Sequence, residues 1–472
     1  PRQCYITFNW SRYLSYYQLG MGTRGLGFRD SSQDVMGVAG HIPEESKKLI
    51  IKLLSVQLPE GNAMHQFNPL TMEATVGDAH EMPDRPQYYG DDHLWIVLAV
   101  ITYVKETGDF AFLNELVPYY NRKKGNPVVS DSVINHLRNA LKFTKANVGA
   151  HGLPLLGFAD WNDCVNLPSG AESMFNACLY GKALLEMIDL AKYQDDAVHT
   201  EQYTADLEAI RKNYNEHAWD GEWYVRWFEA NGTPLGSHTC THGKIYINSQ
   251  SWAVIADLAN GDRGRKALDS VRKHLNTSNG MKLSTPGFNG YDPSKGGITT
   301  YPPGAKENGG IFLHTNPWVM IAETILGNGE NAFEYYNQIN PAKKNNVIDE
   351  YECEPYVYPQ NILGDEHKQF GLGRNSWLSG TSSWTYQAAT KYILGILPEL
   401  SGLRINPCIP SKWDGFTVER KFRGATYMIN VKNPSHVSSG VRSVTVNGKT
   451  LDTSLVPVAQ AGDVITVDVI MG

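Results

Sequence analysis

Apolar residues recur at helical spacing in about a dozen segments of this chain, and the recurrence stops at Pro398. That limits the fold more than any other feature. One such segment opens at Pro43-Glu44-Glu45-Ser46 and carries Leu49, Ile50, Leu53 and Leu54 on one face. Others are predicted over 91–105 (closed by Gly108), 131–146, 172–192, 201–217, 263–275, 318–326 and 383–394. Gly- and Pro-rich loops separate them. Repeated helical hairpins suit a closed ring of paired helices, with the loops at one end forming a cleft.

After Pro398 the period changes from helical to alternating. Phe416, Val418, Phe422, Tyr427, Ile429 and Val431 alternate with polar residues, and Val464 to Ile470 do so again. Val444-Thr445-Val446 runs into Asn447-Gly448, a strong signal for a tight hairpin. The expectation is a helical domain over 1–400 braced by a small antiparallel β domain over 401–472.

Composition removes several classes of function. Hydrophobic residues are 42% and charged residues 19% of the 472, enough to fill a core of that size. The formal charge is -7 with no long basic run, which argues against phosphate-driven nucleic-acid binding. No run of about 18 apolar residues is present, so no membrane span is expected. The six cysteines, at 4, 164, 178, 240, 353 and 408, form no CxxC pair, which argues against a zinc cluster and for reduced thiols. The chain starts at Pro1-Arg2-Gln3, where no charged segment leading into an apolar one is visible, and a cytoplasmic location is expected.

Four stretches have the residues for chemistry. Gly157-Phe-Ala-Asp-Trp-Asn-Asp-Cys164 places two carboxylates, an amide and an indole in a segment without helical period. An indole can stack on a pyranose while Asp and Asn take its hydroxyls; the plainer reading is an Asx-rich cap for the helix near Glu172. Gly20 to Gly25 matches GxGxxG but lacks the preceding strand of a dinucleotide site. In the turn that follows, Arg24, Arg29 and Asp30 suit a sugar phosphate, or an internal Arg–Asp salt bridge. Tyr301 to His314 is predicted as a rigid loop carrying Tyr301, Lys306, Glu307 and His314, with His314 just before a helix start that favours anions. Glu352 to Gln360 and the run Ser379-Gly380-Thr381-Ser382 complete the set; the hydroxyls of that run bind an oxyanion or cap a helix. Asp91-Asp92-His93 lacks a partner at metal-ligand spacing and reads as a helix cap.

Together these strings resemble glycoside hydrolase family 94, the inverting phosphorylases of β-glucosides. The resemblance rests on Arg24 to Asp30, Ala159 to Asp163, Lys306 to Phe312 with His314, Glu354 to Gln360, and Trp377 to Thr381, in the family's order. Arg404 to Pro410, Lys421 to Thr426 and the loop from Tyr301 to His314 resemble the members that act on cellobiose, so cellobiose is the expected substrate, with cellodextrins, cellobionic acid, laminaribiose or chitobiose, substrates of other members, as alternatives. The resemblance implies a mainly α fold, an (α/α)6 barrel of helical hairpins followed by a C-terminal β-sandwich. It also implies a homodimer, and an N-terminal β-sandwich with linker helices lying outside this chain. By motif position Asp163 is the implied general acid. The resemblance likewise implies that Arg24, Asp30, Trp161 and Gln360 hold the transferred glucosyl unit, and Tyr301 and Lys306 the acceptor sugar. It implies that His314, Ser379 and Gly380 hold inorganic phosphate, expected as co-substrate with no further cofactor and no metal. Relatives often carry Thr at the position of Ser379, and a hydroxyl survives that exchange. A rival is an inverting hydrolase on the same barrel, with Asp160, Glu307 or Glu354 as base. A second rival is a carbohydrate-binding fragment without turnover.

Overall fold

The computed structural model describes residues 1–14, 25–121, 128–377 and 379–472. It is mainly α-helical up to Ile393. The principal helices are α1 (Phe28–Val38), α2 (Pro43–Leu54), α3 (Asp92–Thr107), α4 (Val133–Ala146), α5 (Met174–Tyr193), α6 (Ala197–His217), α7 (Ile247–Ile255), α8 (Arg263–Leu275), α9 (Asn316–Ile325), α10 (Gly329–Ile339) and α11 (Thr381–Gln387). A π-helical segment, Ala388–Ile393, continues α11.

Local chemistry accounts for the helix ends. Ser173 Oγ accepts from the Asn176 amide before α5, and the Asp196 carboxylate accepts from the His199 amide before α6. Gly108, at φ 73°, closes α3 by donating its amide to the Val104 carbonyl. The plain cap expected at 91–93 does not form: Asp91 precedes α3, but its side chain makes no capping bond and turns to Arg29 and Trp95.

The odd-numbered helices pack in cyclic order, α1 on α3, then α5, α7, α9 and α11, which returns to α1. The even-numbered helices lie outside them, joined by the helical stretch 2–14 against α1 and α11. Burial follows this division. α3 and α5 are buried almost all round, whereas α2 and α8 bury one stripe each (Leu49, Ile50, Leu53 and Leu54; Ala267, Leu268, Val271 and Leu275). The middle of the ring is filled by a cycle of indoles from four inner helices. Trp95 meets Trp252, Trp252 meets Trp318, Trp318 meets Trp384 and Trp384 meets Trp95, with centroids 5.4–6.1 Å apart and planes 70–89° to one another. Edge-to-face pairs of this kind are worth about 0.5–1.5 kcal/mol each beyond their buried area. The cycle separates two cavities. One is lined from the N-terminal ends of the inner helices and their preceding loops, the other from their C-terminal ends.

The β-rich part begins at Ile396, slightly before the expected boundary. Strands β1 (Ile396–Pro398), β2 (Gly402–Ile405) and β7 (Leu455–Pro457) form one sheet. Strands β3 (Gly415–Phe422), β4 (Ala425–Lys432), β8 (Val464–Met471), β5 (Val441–Val446) and β6 (Lys449–Leu451) form a second sheet in that spatial order. The hairpin at Asn447-Gly448 is present, with φ of 47° and 80°. The expectation of a wholly antiparallel domain is corrected: β4 and β8 pair in parallel, so the last strand arrives by a crossover rather than a hairpin. Arg423 braces this part against the helices by donating to the Lys105 carbonyl at the end of α3 (2.9 Å), one of the acceptors a helix leaves unsatisfied. Buried Glu106 pairs with Lys391 (3.2 Å) and with Arg420 of β3. No described helix is long and apolar enough to cross a membrane.

Candidate active site

The cavity at the N-terminal ends of the inner helices has a volume of about 640 Å³. Nine of the ten residues to which the resemblance gives a role line it: Asp30, Trp161, Asp163, Tyr301, Lys306, His314, Gln360, Ser379 and Gly380. The tenth, Arg24, lies outside the described residues. One expectation is corrected: the flexible turn predicted around Arg29 and Asp30 is helical, and both residues occupy the first turn of α1. There the N-terminal dipole and the following helical turns fix their directions.

The loop carrying Asp163 is held by its other carboxylate. Asp160 is fully buried and accepts from Arg226 Nη1 and Nη2 (2.7 and 2.8 Å), Ser173 Oγ (2.6 Å), Trp227 Nε1 (3.0 Å) and the Asn162 amide (2.9 Å). Burial pushes its carboxyl up, but Arg226 together with the hydrogen bonds from Ser173 and the Asn162 amide outweighs burial and holds it below the usual range. Asp160 is thus a structural anchor with its lone pairs occupied, which removes it as the base of a hydrolase. The bracing leaves Asp163 facing the cavity with its side chain half exposed, while one oxygen meets Arg29 Nη1 at 2.7 Å. Glu354, another proposed base, does not line the cavity; Glu307 does. Asn162 Nδ2 donates to Glu307 Oε2 (3.0 Å), and burial together with the charge of Asp163 pushes the Glu307 carboxyl up to about 7.

Asp30 is ion-paired with Arg12 (2.9 Å), which also holds Asp34 (2.7 Å). Burial raises the Asp30 carboxyl, but the neighbouring charges, Arg12 and Arg29 foremost, outweigh it and hold it below the usual range, so it stays a hydrogen-bond acceptor. Trp161 lies edge-on to Phe312, His314 and Trp318 at centroid distances of 5.2–5.3 Å, which ties the acid loop to the indole cycle. Gln360 Oε1 accepts from Asn375 Nδ2 (3.0 Å), and the Lys306 ammonium sits 5.6 Å from the centre of the Tyr301 ring.

The fourth wall is built on imidazole and glycine. Gln33 Oε1 lies 2.7 Å from Trp384 Nε1 and 2.8 Å from His314 Nε2. An indole only donates, so this Gln33 atom is an acceptor and His314 Nε2 carries the proton. Burial pushes the imidazole down to about 3 against the pull of Asp30, so it is neutral with Nδ1 as its basic nitrogen. Gly380 lies against that ring: a Cβ there would stand 2.4 Å from His314 Cε1. Ser379 Oγ accepts from the Thr381 amide (3.0 Å) and shares a short hydrogen bond with the Thr381 hydroxyl, at the start of α11.

Sequence reasoning missed Arg12, Gln33, His65 and Asn375, and read Asp91 only as a cap. Gln33 had a usable signal, because Asp30, Gln33 and Asp34 fall three to four residues apart, one polar face of a helix. Arg12 stands in a segment with no comparable pattern.

Comparison with known proteins places this arrangement. Residues 2–395 match the family model described as the Glycosyl hydrolase 94 superfamily, catalytic domain. The chain is 39% identical to an N,N'-diacetylchitobiose phosphorylase of Vibrio proteolyticus, over 96% of this chain and 58% of the relative. It is 32% identical to a solabiose phosphorylase of Paenibacillus borealis, over 95% and 56%, and 26% identical to a cellobionic acid phosphorylase of Neurospora crassa, over 89% and 52%. It thus spans little more than half the length of these relatives. Among solved structures, a family 78 rhamnosidase of Bacillus sp. GL1 shares the fold with a TM-score of 0.52 and 13% identity, over 87% of this chain and 39% of that one. The chain belongs to the glycosyl hydrolase 94 superfamily and carries its catalytic domain.

Proposed function

We propose that the ring of helices is an (α/α)6 barrel and that its cavity performs inverting phosphorolysis of a β-linked disaccharide. One observation carries the reading: a half-exposed carboxyl, Asp163, and a wall made of an imidazole, a hydroxyl and backbone, His314 with Ser379 and Gly380, line the same cavity. An inverting hydrolase needs a second carboxylate to activate water. Inorganic phosphate is already an anion and needs only to be held beneath the anomeric carbon. A phosphate oxygen attacks that carbon and the glycosidic C–O bond breaks. Asp163 gives its proton to the leaving oxygen, and the products are an α-sugar 1-phosphate and the acceptor sugar. Asp30 and Gln360 hold the transferred unit beside Trp161, and Tyr301 and Lys306 hold the acceptor. His314 Nδ1 is the ring nitrogen that meets phosphate, either accepting its proton or taking one up to become a donor.

The sequence resemblance favours cellobiose. The similarity to N,N'-diacetylchitobiose phosphorylases, at 39% and 37% identity, favours the N-acetylated disaccharide. Measuring sugar 1-phosphate release from a panel containing both, with solabiose and cellobionic acid, decides between them: a tenfold preference identifies the substrate. The hydrolase reading keeps one supporting observation, that Glu307 lines the cavity with its carboxyl raised to about 7. Free donor sugar released as fast without phosphate as with it would establish hydrolysis and overturn phosphorolysis.

A further inference from the structure

The proton donor shares its cation with a buried neighbour. Arg29 is 6% exposed in its side chain, and each of its nitrogens meets a carboxylate. Nη1 is 2.7 Å from Asp163 Oδ1, Nη2 donates to Asp91 Oδ1 at 2.9 Å, and Nε lies 2.7 Å from Asp91 Oδ2. Nη2 also donates to the Asp160 carbonyl at 2.8 Å, which locks the guanidinium to the acid loop. Asp91 is fully buried on its own helix end and accepts from Trp95 Nε1 (2.9 Å); burial, against the pull of Arg29, pushes its carboxyl up to about 7, so it carries its charge on the alkaline side. Such an arrangement presents a difficulty for a general acid. A cation at 2.7 Å favours the carboxylate, yet the reaction needs the carboxylic acid.

We propose that Asp91 is a positioning residue for Asp163, drawing the charge of Arg29 away from it and so setting the pH range over which Asp163 keeps its proton. This rests on Asp163 being the general acid. Other ionisable groups converge on the same place and are fixed by their own partners. Asp92 Oδ1 is 3.9 Å from Arg29 Nε, and its other oxygen meets His65 Nδ1 at 2.9 Å. Tyr89 stacks on His65 and faces the guanidinium at 5.7 Å. Asp30, next to Arg29 in the chain, is paired with Arg12. Glu307, Tyr301 and Cys164 feel the charge of Asp163, and His314 that of Arg29. Of the carboxylates on Arg29, Asp91 alone engages two of its nitrogens at 3 Å or less, so its charge competes most strongly.

Replacing Asp91 by Asn keeps the shape and removes the competitor. The guanidinium then acts on Asp163 undivided, and Asp163 loses its proton at lower pH. The alkaline limb of the kcat–pH profile should move down by about one pH unit, a tenfold loss of rate on that limb, with KM for phosphate little changed. A readout independent of turnover accompanies it. With ¹³C-carboxyl-labelled aspartate, the Asp163 resonance (assigned from its absence in Asp163→Asn) should titrate about one pH unit lower in Asp91→Asn than in the parent. Asp92→Asn, farther from the guanidinium, should shift it in the same direction by less, and serves if Asp91→Asn does not fold. An unmoved resonance in whichever variant folds overturns the proposal, and so does a shift to higher pH. Full turnover by Asp163→Asn would instead remove the reading on which the proposal rests, so the two failures are distinguishable.

Discussion

Gly380 tests the phosphate wall through a side chain it lacks, leaving the side chains of His314 and Ser379 unsubstituted. Its φ of -67° and ψ of -8° are open to any residue, so alanine imposes no backbone strain. The objection to alanine is steric: its Cβ would stand 2.4 Å from His314 Cε1 and 2.8 Å from Nδ1, where ordinary contact is 3.4–4 Å. The imidazole would have to retreat by about 1 Å. It has little room, because Nε2 is tied to Gln33 at 2.8 Å and the indoles of Trp161 and Trp318 lie 5.3 Å away, centre to centre. Displacing the ring by that amount forfeits about one charge-assisted hydrogen bond to phosphate, roughly 1.5–3 kcal/mol. At 1.36 kcal/mol per decade this is a loss of roughly 10- to 150-fold in kcat/KM for phosphate. Initial rates of sugar 1-phosphate release against phosphate concentration, at saturating disaccharide, measure it. KM for the disaccharide should change little, and the melting temperature should confirm an intact fold. A Gly380→Ala enzyme with unaltered phosphate dependence would refute the placement of phosphate against His314.

Two further outcomes follow from groups that never meet substrate or meet it only at the cavity wall. Asp160→Asn leaves Arg226 buried without its counter-charge and should destabilise the fold by about 3–5 kcal/mol, read from urea denaturation, while the exposed pair Lys48–Glu45 should tolerate the same treatment with a change below about 1 kcal/mol. Glu307 takes up its proton near pH 7 when folded and near 4.5 when unfolded, so the folded state holds more protons in that window and stability falls as pH rises through it. The total is about 3 kcal/mol, and Glu307→Gln should flatten that slope in melting curves taken from pH 4.5 to 8. Parallel curves for parent and variant would show that the carboxyl titrates in its ordinary range.

Part of what the sequence concealed has a single physical cause. Helices α2, α4 and α8 were legible almost to the residue because each has a regular apolar face, and α5 because it is a long, largely apolar run with a Ser cap. The inner helices α1 and α7 were not, because they bury polar side chains: Ser31, Ser32, Gln33 and Asp34 in one, Asn248, Ser249, Gln250 and Ser251 in the other. Buried polar residues break the 3.6-residue signal, and in α1 they do so beside the cavity, where Gln33 sets the tautomer of His314. The cavity itself was legible through its motifs, whose loops all precede inner helices. The links between motifs were not, since Arg29 reaches Asp163 across 134 positions and His314 reaches Gln33 across 281. The parallel pairing of β4 with β8 was equally hidden, because alternation of side chains reports which face is buried and not which way the neighbouring strand runs.

One substitution bears on the whole scheme. Asp163→Asn retains the size of the side chain and its contact with Arg29 but cannot supply a proton. Turnover should vanish in both phosphorolysis and synthesis, while calorimetry still registers inorganic phosphate binding with parental affinity. Phosphorolysis at near-parental rate by that variant would contradict the assignment of the proton donor and, with it, the division of tasks across the cavity.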